Sequence, residues 1–321
     1  MQWQQGAHAG ADLGRVRPCE LGCWDRDFSE AVVAPSTVRP MLSAGDVQRI
    51  AASLGFDGPV AHLGEGMDFV SYRCEDLVVR VAKRDEVAAL VEAEYEFLAT
   101  LPVDLPLAVP RPLCPPVGSP ETIRCVLVYP MVPGTPLGEV EDKSDLDVCE
   151  PIGRFLRSLH SLPIRDVAPQ SLGSLSDFAS QRLSDIEKQL GSKLTTVVRS
   201  VLGGHLPPVS SERVMCYRDL TDDHVLVDLA AHVACGVIDF GDAGPSPWWH
   251  DLVGLWMWGG DGAIDSVCCA YGRQLEGAEQ QLLEYHALAV AVADAVHASR
   301  EVDFDLVWPD HLNTLVQVLR R

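Results

Sequence analysis

No long hydrophobic run is present in this sequence. The most apolar stretch, residues 285–298, is interrupted by Asp294 and two histidines, whereas a membrane-spanning helix needs about 18 consecutive apolar residues. The first residues also lack the basic start and apolar stretch of a secretory signal. We therefore expect a cytoplasmic location and no membrane partner.

Positive charge is scarce. Lysine and arginine number 25 against 46 aspartates and glutamates, which gives a formal net charge of −21. Such a chain repels the phosphate backbone of nucleic acids, so we expect no nucleic-acid partner and favour cationic small molecules. Acidity also keeps proteins soluble, and the charge alone does not separate these two explanations.

A closely spaced cysteine framework is absent as well. The ten cysteines are scattered and form no CxxC pair, which argues against a zinc site or a disulfide scaffold. We expect reduced thiols that are mostly buried, with Cys19 and Cys23 the most exposed.

What is present is the composition of a folded protein. Hydrophobic residues make up 47% of the chain and charged residues 22%, so wholesale disorder is excluded. The 321 residues exceed the roughly 100–200 of one ordinary domain, which predicts two lobes.

The N-terminal region changes character near Met41. Residues 1–40 show no sustained period of 3.6 or 2 and predict a loose extension, so translation is expected to start at Met41. Ser43 is the predicted N-cap of a first helix, which Gly55 closes.

Three short strands follow, near residues 60–64, 67–74 and 77–82. Gly64 and Gly66 fall in the first predicted turn. This pattern predicts an antiparallel meander.

The third strand and the following helix, about residues 85–100, carry opposite charges. Alternation places Arg80 on one face of the strand and Lys83 on the other. Glu94 falls on the apolar stripe of the helix, where a buried carboxylate needs a cation. Two interpretations stay open: Glu94 pairs with Arg80, or it lies at the edge of the stripe in water.

The remainder of the chain is mostly helical. A proline-rich connector leads to a predicted strand over residues 123–131, which ends in a Pro-Gly hinge. Residues 225–227 and 233–238 predict a hairpin among the later helices. We predict an α+β protein in which residues 1–40 are the extension, 41–131 an N-lobe and 132–321 a C-lobe.

Two segments carry the residues of a chemical site: YRDLTDDH at residues 217–224 and VIDFGD at 237–242. An aspartate, a metal ligand five positions later and an Asp-Phe-Gly after the next strand are typical of a kinase catalytic loop and metal loop. Asp219, His224 and Asp239 hold these places. Asp219 suits orientation of an attacking hydroxyl, and Asp239 suits Mg²⁺, which prefers carboxylate oxygen.

Around these segments the chain resembles the aminoglycoside phosphotransferase family of kinase-like antibiotic kinases, which includes relatives that phosphorylate macrolides. The other matching segments are LGEGMDFVSYRCEDLVVRVAKR, EAEYEFLATL, VLVYPMVPGTPL, GRFLRSLHSLP and GVIDFGDAGPSPWWHDLVGL. The resemblance covers roughly residues 60–300. It implies a two-lobed protein-kinase-like fold, with a small antiparallel-sheet N-lobe, a mostly helical C-lobe and nucleotide bound between them.

The resemblance also implies a role for each matching residue. Asp219 would be the catalytic aspartate and Asp239 the principal Mg²⁺ ligand. His224 stands where most relatives have asparagine, and we expect it to bind metal directly or through water. Arg80 aligns with the phosphate-binding lysine, and Glu94 with its helix partner.

Four further residues match the nucleotide site. Gly64 and Gly66 match the hairpin turn that covers the phosphates, where a missing Cβ permits close approach. Main-chain groups around Tyr129 and Met131 match the hinge that meets the purine base, and an ordinary connecting strand is the alternative there.

The sequence departs from the family pattern before the catalytic aspartate. Tyr217 and Arg218 replace the usual His-Gly or His-Asn. We expect Tyr217 to be a core aromatic, and Arg218 to contact a phosphate or a nearby aspartate. Asp251 is expected to cap the following helix, and Lys83 would substitute for Arg80 if Arg80 faced solvent.

The residues that hold the acceptor are less sharply predicted. Five acidic residues of the second lobe are unranked candidates: Asp242, Asp261, Asp265, Asp303 and Asp305. Four tryptophans either wall a pocket or lie in the core, and their near-helical spacing favours the core: Trp248, Trp249, Trp256 and Trp258.

These observations predict a phosphotransferase. We expect it to move the γ-phosphoryl group of ATP or GTP, with Mg²⁺, to a hydroxyl of a cationic antibiotic, an aminoglycoside first and a macrolide second. A kinase for a small metabolite such as choline, a sugar or homoserine is the alternative enzyme, and a nucleotide-binding pseudokinase is the alternative from another class. We expect a monomer or a weak dimer.

Overall fold

The computed structural model describes residues 42–66, 68–83, 87–119, 123–164, 172–299 and 304–320. Four predicted features lie outside these residues: the extension over residues 1–40, Met41, Cys19 and Cys23. Eight cysteines lie within them, and all eight are free thiols. Among the helices described, none is both long and apolar enough to cross a membrane.

The first helix, α1 (Ala44–Ser53), begins as predicted. The Ser43 hydroxyl accepts a hydrogen bond from the Asp46 amide, and the Asp46 carboxylate accepts one from the Ser43 amide at 2.8 Å. This reciprocal pair is a capping box, which satisfies amides that have no partner within the helix. Gly55 follows the helix with φ +90°, a conformation that favours glycine.

Five strands form one antiparallel sheet in the spatial order β1-β2-β3-β5-β4. They are β1 (Val60–Glu65), β2 (Phe69–Cys74), β3 (Leu77–Ala82), β4 (Val117–Ser119) and β5 (Ile123–Pro130). The meander is confirmed, but the placement of Gly64 in the turn is wrong. A bulge after His62 keeps Gly64 paired with Ser71, so β1 continues to Glu65 and only Gly66 lies in the turn.

Strand β3 separates two apolar clusters. Val79 and Val81 pack with α1 on one face, whereas Val78 and Ala82 belong to the larger core on the other. Arg80 shares this second face and is 5% exposed, so the alternation of the strand brings a cation into the interior.

Seven α-helices are described beyond β3. They are α2 (Ala88–Leu98), α3 (Cys149–His160), α4 (Leu172–Leu190), α5 (Ser192–Leu202), α6 (Leu252–Tyr271), α7 (Gly277–Ala298) and α8 (Phe304–Arg320). Helix α6 follows a 3-10 turn over Trp248–Asp251 and is kinked at Gly260, where φ is 69°. The observed architecture is the predicted α+β arrangement of an antiparallel sheet and a mostly helical region.

Two small sheets bring the predicted catalytic segments together. One contains β6 (Thr135–Pro136), β8 (Val225–Asp228) and β9 (Val233–Val237), and the other pairs β7 (Val214–Cys216) with β10 (Gly244–Ser246). Residues 217–224 connect β7 to β8, and residues 238–243 connect β9 to β10. The Ile238 amide donates to the His224 carbonyl oxygen at 3.0 Å, so the two connections run side by side.

Candidate active site

Arg80 joins the five-stranded sheet to residues 238–243, the connection between β9 and β10. Its Nη1 lies 2.8 Å from Glu94 Oε1 on α2, and its Nη2 lies 2.6 Å from Asp239 Oδ1. The guanidinium also stacks 4.1 Å from the centroid of the Phe69 ring. The predicted pairing of Arg80 with Glu94 is therefore present, and the alternative of a solvated Glu94 is wrong because that residue is 2% exposed.

The carboxylates around Arg80 have shifted pKa values. Burial raises the pKa of Glu94 to about 7, although Arg80 acts in the opposite direction. Burial also acts to raise the pKa of Asp239, but Arg80 and His224 outweigh it and lower that pKa to about 2. Asp239 is thus held ionised, as a cation ligand must be.

Asp219 and His224 form a second buried pair. His224 Nδ1 lies 3.1 Å from both the carbonyl oxygen and Oδ2 of Asp219. Burial raises the pKa of Asp219 to about 7. Burial acts to lower the pKa of His224, but Asp219 and Asp239 outweigh it and raise that pKa to about 10.

The donors around Asp239 fit a divalent cation. With His224 Nδ1 turned to Asp219, the Nε2 atom faces Asp239 Oδ2 at 3.8 Å. This separation is too long for a hydrogen bond. Carboxylate oxygen is the ligand that Mg²⁺ prefers, and imidazole nitrogen is a poorer Mg²⁺ ligand that more often binds transition metals. A proton and a cation compete for the same lone pair of Nε2.

The predicted catalytic and metal residues therefore meet in one cluster between the sheet and the helical region. A protein-family model described as the phosphotransferase enzyme family (APH) matches residues 60–298. The chain belongs to this family. Searches among curated proteins gave no significant match.

Several solved structures share the fold of this phosphotransferase family member. The GDP complex of wild-type aminoglycoside 2'-phosphotransferase-IIIa is 18% identical, with a TM-score of 0.71 over 86% of this chain and 98% of that chain. The macrolide 2'-phosphotransferase from Brachybacterium faecium is 18% identical, with a TM-score of 0.59 over 85% and 97%. The streptomycin-ATP ternary complex of APH(2")-IIa is 15% identical, with a TM-score of 0.57 over 88% and 97%.

In this phosphotransferase, a buried carboxylate that the sequence did not single out for the site supports residues 217–224, the predicted catalytic connection. Asp251 Oδ2 accepts the amide of Tyr217 at 3.0 Å, and Oδ1 accepts the amide of Arg218. His160 Nε2 lies 2.8 Å from Asp251 Oδ2, and its Nδ1 lies 2.9 Å from the Tyr271 hydroxyl. The expected capping role of Asp251 is wrong, since its side chain bonds no α6 amide.

The residues predicted for a nucleotide site lie along the sheet of the phosphotransferase. A Cβ at Gly64 would meet nothing within 4 Å, and the Gly66 amide donates to the Phe69 carbonyl oxygen at 2.8 Å. Tyr129 lies in β5 opposite Val78 and is buried. The Met131 amide donates to the Asp76 carbonyl oxygen at 2.6 Å, so that amide is already engaged.

Lys83 has a separate partner, Glu65, at 2.6 Å across the first turn. It is therefore not needed as a substitute for Arg80, which is buried.

The tryptophans divide into two groups. Three are buried as expected: Trp248, Trp249 and Trp256. Trp258 is half-buried, and its Nε1 donates to the Leu220 carbonyl oxygen at 3.3 Å. Its ring therefore borders the connection that carries Asp219.

The acidic candidates do not form one group. Asp242 is buried, Asp261 is exposed and accepts the Trp256 indole at 2.7 Å, and Asp265 is exposed. Asp303 and the side chain of Asp305 lie outside the described part of the chain.

Proposed function

We propose that this protein transfers the γ-phosphoryl group of ATP or GTP to a hydroxyl of a cationic antibiotic, an aminoglycoside in the first place and a macrolide in the second. The observation that carries this proposal is the cluster of Asp219, His224, Asp239 and Arg80, in which two predicted segments and the sheet meet. Phosphoryl transfer needs mainly such positioning and charge stabilisation. Structures of fold relatives in complex with GDP, ATP and aminoglycosides support the choice of substrates.

Asp219 is the proposed catalytic residue. Asp219 is 4% exposed, and burial raises its pKa to about 7, close to neutral pH. A group with such a pKa orients the acceptor hydroxyl as a carboxylate and accepts its proton late in the transfer.

Asp239 and His224 are the proposed metal ligands. A bound Mg²⁺ would neutralise charge on the nucleotide phosphates and help to align them. Arg80 adds a fixed positive charge beside Asp239, and Glu94 holds Arg80 from the side of α2. A longer, forked side chain in place of lysine explains how one cation contacts both carboxylates.

The remaining nucleotide contacts are proposed along the sheet, within an N-lobe of residues 41–131. The open space beside Gly64 and the turn at Gly66 suit close approach of phosphates to the backbone. Main-chain carbonyl groups of the Tyr129–Met131 segment are the proposed base contact, since the Met131 amide is engaged by Asp76. The acceptor would lie in the C-lobe, residues 132–321, where the half-buried Trp258 bonds the Leu220 carbonyl oxygen, next to Asp219.

Mass spectrometry tests the proposal. Purified protein is incubated with Mg²⁺, ATP or GTP, and a mixed panel of aminoglycosides and macrolides, and Asp219→Asn serves as the control. We expect one drug to gain the mass of one phosphoryl group, and the control to lose about 10²–10⁴-fold in rate. If nucleotide binds and no drug gains mass, the antibiotic assignment is refuted, and choline, sugars and homoserine become the next panel.

A further inference from the structure

Tyr217 and Arg218, which depart from the family pattern, both contact the connection between β9 and β10. The Tyr217 hydroxyl donates to the carbonyl oxygen of Ile238, and Arg218 Nε donates to the carbonyl oxygen of Asp242. One contact therefore lies just before Asp239, and the other lies three residues after it. Two adjacent side chains, Tyr217 and Arg218, therefore hold both sides of residues 238–242, the metal-ligand segment. We call this pair of side chains the clamp.

The segment between these contacts has an uncommon backbone conformation. Asp239 has φ +65°, in the left-handed region that L-residues rarely adopt. Such a conformation persists only where the surroundings fix it. The Tyr217 ring adds an edge contact to Phe240, with centroids 4.9 Å apart, so the residue after Asp239 is held as well.

The backbone that carries Tyr217 and Arg218 is fixed as well. Arg218 has φ +70°, and its amide and that of Tyr217 are both bonded by Asp251. The two side chains thus extend from an anchored backbone. A tyrosine and an arginine are long enough to bridge the two connections.

Gly244 in β10 provides the room for the guanidinium. A Cβ at this position would lie 2.7 Å from Arg218 Nη2 and 3.2 Å from Cζ. Contacts this short require one group to move. Because the far end of an arginine moves more easily than a paired strand, an added methyl group would displace the guanidinium and leave β10 in place.

We propose that Tyr217 and Arg218 are positioning residues, which hold the Asp239 segment at a fixed place relative to Asp219, and that Gly244 permits this by lacking a Cβ. The inference rests on the proposed function, because it assumes that Asp239 holds a divalent cation. It assigns a role to two of the positions where this chain departs from its family, those directly before Asp219.

Direct metal binding tests the inference without catalysis. Mn²⁺ binding to the full chain is measured by electron paramagnetic resonance, with and without ATP or GTP, for the wild type, Tyr217→Phe, Arg218→Gln and Gly244→Ala. Loss of a group that orients a metal ligand typically weakens binding about 10–100-fold. We expect weakening in this range for Arg218→Gln, a similar loss for Gly244→Ala, and no additional loss in the double variant, because both act on the same contact.

Matched controls separate positioning from general stability. Tyr285→Phe removes a tyrosine hydroxyl bond to the Leu202 carbonyl oxygen, and Arg111→Gln removes guanidinium bonds to two backbone carbonyl oxygens. Gly277→Ala adds a methyl group where nothing lies within 4 Å. We expect these three variants to bind Mn²⁺ as the wild type does.

The outcomes distinguish the two proposals. Wild-type protein that binds neither Mn²⁺ nor nucleotide would refute the proposed function and the clamp with it. Wild-type binding that Tyr217→Phe, Arg218→Gln and Gly244→Ala leave unchanged, in variants with native circular dichroism, would refute the clamp alone. Should Arg218→Gln fail to fold, Gly244→Ala decides, since it displaces the same guanidinium and retains the arginine.

Discussion

The Arg80 guanidinium bonds two carboxylates that are 145 positions apart in the chain, Glu94 at 2.8 Å and Asp239 at 2.6 Å. The side chain of Glu94 is fully buried, and Asp239 is held ionised. One cation therefore offsets the burial of Glu94 and the partial burial of Asp239, and it joins α2 to the segment that carries Asp239.

Two substitutions of Arg80 should distinguish the effect of its charge from the effect of its forked guanidinium. Arg80→Met leaves Glu94 and Asp239 without their cation, and we expect a loss of about 3 kcal/mol in the free energy of unfolding, together with loss of nucleotide binding. Arg80→Lys keeps the charge but lacks the fork, so the loss of stability should be smaller and the KM for nucleotide should rise. Urea unfolding and nucleotide titration measure the two effects, and equal behaviour of both variants would contradict a bidentate role.

Much of this site follows from the sequence because its residues lie in local patterns. The alternation in β3 placed Arg80 and Lys83 on opposite faces, and the apolar stripe of α2 made Arg80 one of two expected environments for Glu94, the other being water. The hairpin between the two catalytic segments was also recognisable, since β-branched runs flank a polar turn. These features depend on neighbours within a few positions.

The contacts that sequence reasoning missed join distant positions. Asp251 stands at the start of a helix, where local rules predict a cap, yet its carboxylate bonds amides 33 and 34 positions earlier. The role of Gly244 depends on the guanidinium of Arg218, which no periodicity reveals. Gly64 was misplaced because a bulge extended its strand.

Asp251 should be more important for turnover than its distance from the reacting groups suggests. Asp251→Asn removes the charge that accepts two amides of the catalytic connection and faces His160. Bonds to a buried charged acceptor contribute about 1.5–3 kcal/mol each, so we expect clear destabilisation and a lower kcat with a nearly unchanged KM for nucleotide.

Glu279 provides the matched control for Asp251. This buried carboxylate also accepts several donors, including the Trp248 indole at 2.8 Å and Arg273 at 2.9 Å, but it lies at the start of α7. Glu279→Gln should lower the melting temperature and retain kcat. If both variants lost kcat in proportion to stability, the specific support of the catalytic connection by Asp251 would be refuted.

A buried histidine should make the fold sensitive to mild acid. His250 Nε2 lies 2.9 Å from His286 Nε2, and its Nδ1 lies 2.6 Å from the Ser246 hydroxyl. Burial, His286 and Arg218 lower the pKa of His250 well below its usual value, and Asp251 acts in the opposite direction. The folded state therefore binds this proton less readily than the unfolded state.

The lowered pKa of His250 determines how the stability of the fold depends on pH. Stability is complete above the unfolded pKa of about 6.5 and falls as the pH drops below it, by up to about 1.4 kcal/mol per pH unit. Urea unfolding from pH 7.5 to 5.0 should show this loss, and His250→Gln should flatten it. His205, which is exposed, gives the control variant His205→Gln with a wild-type slope; identical slopes in all three proteins would contradict the assignment.

Gly254 should help to fix the position of residues 217–224, because a Cβ there would meet the backbone of that connection. A Cβ at this residue of α6 would lie 2.5 Å from the Leu220 carbonyl oxygen and 3.4 Å from the Thr221 amide. Backbone atoms cannot move aside as a flexible side chain can, so Gly254→Ala must push the connection away from the helix, at a cost of about 1–3 kcal/mol. Since Leu220 directly follows Asp219, we expect kcat to fall more than stability accounts for.

Gly262→Ala tests whether this effect is specific. It lies on the same helix and a Cβ there meets nothing within 4 Å, so it should retain full kcat. Comparison of the two variants at a temperature where both are fully folded isolates the displacement of Asp219 from any loss of stability. The added methyl group would meet backbone atoms of Leu220 and Thr221. A normal kcat in folded Gly254→Ala would therefore mean that the reaction tolerates movement of this connection, and that Asp219 does not require the fixed placement proposed for it.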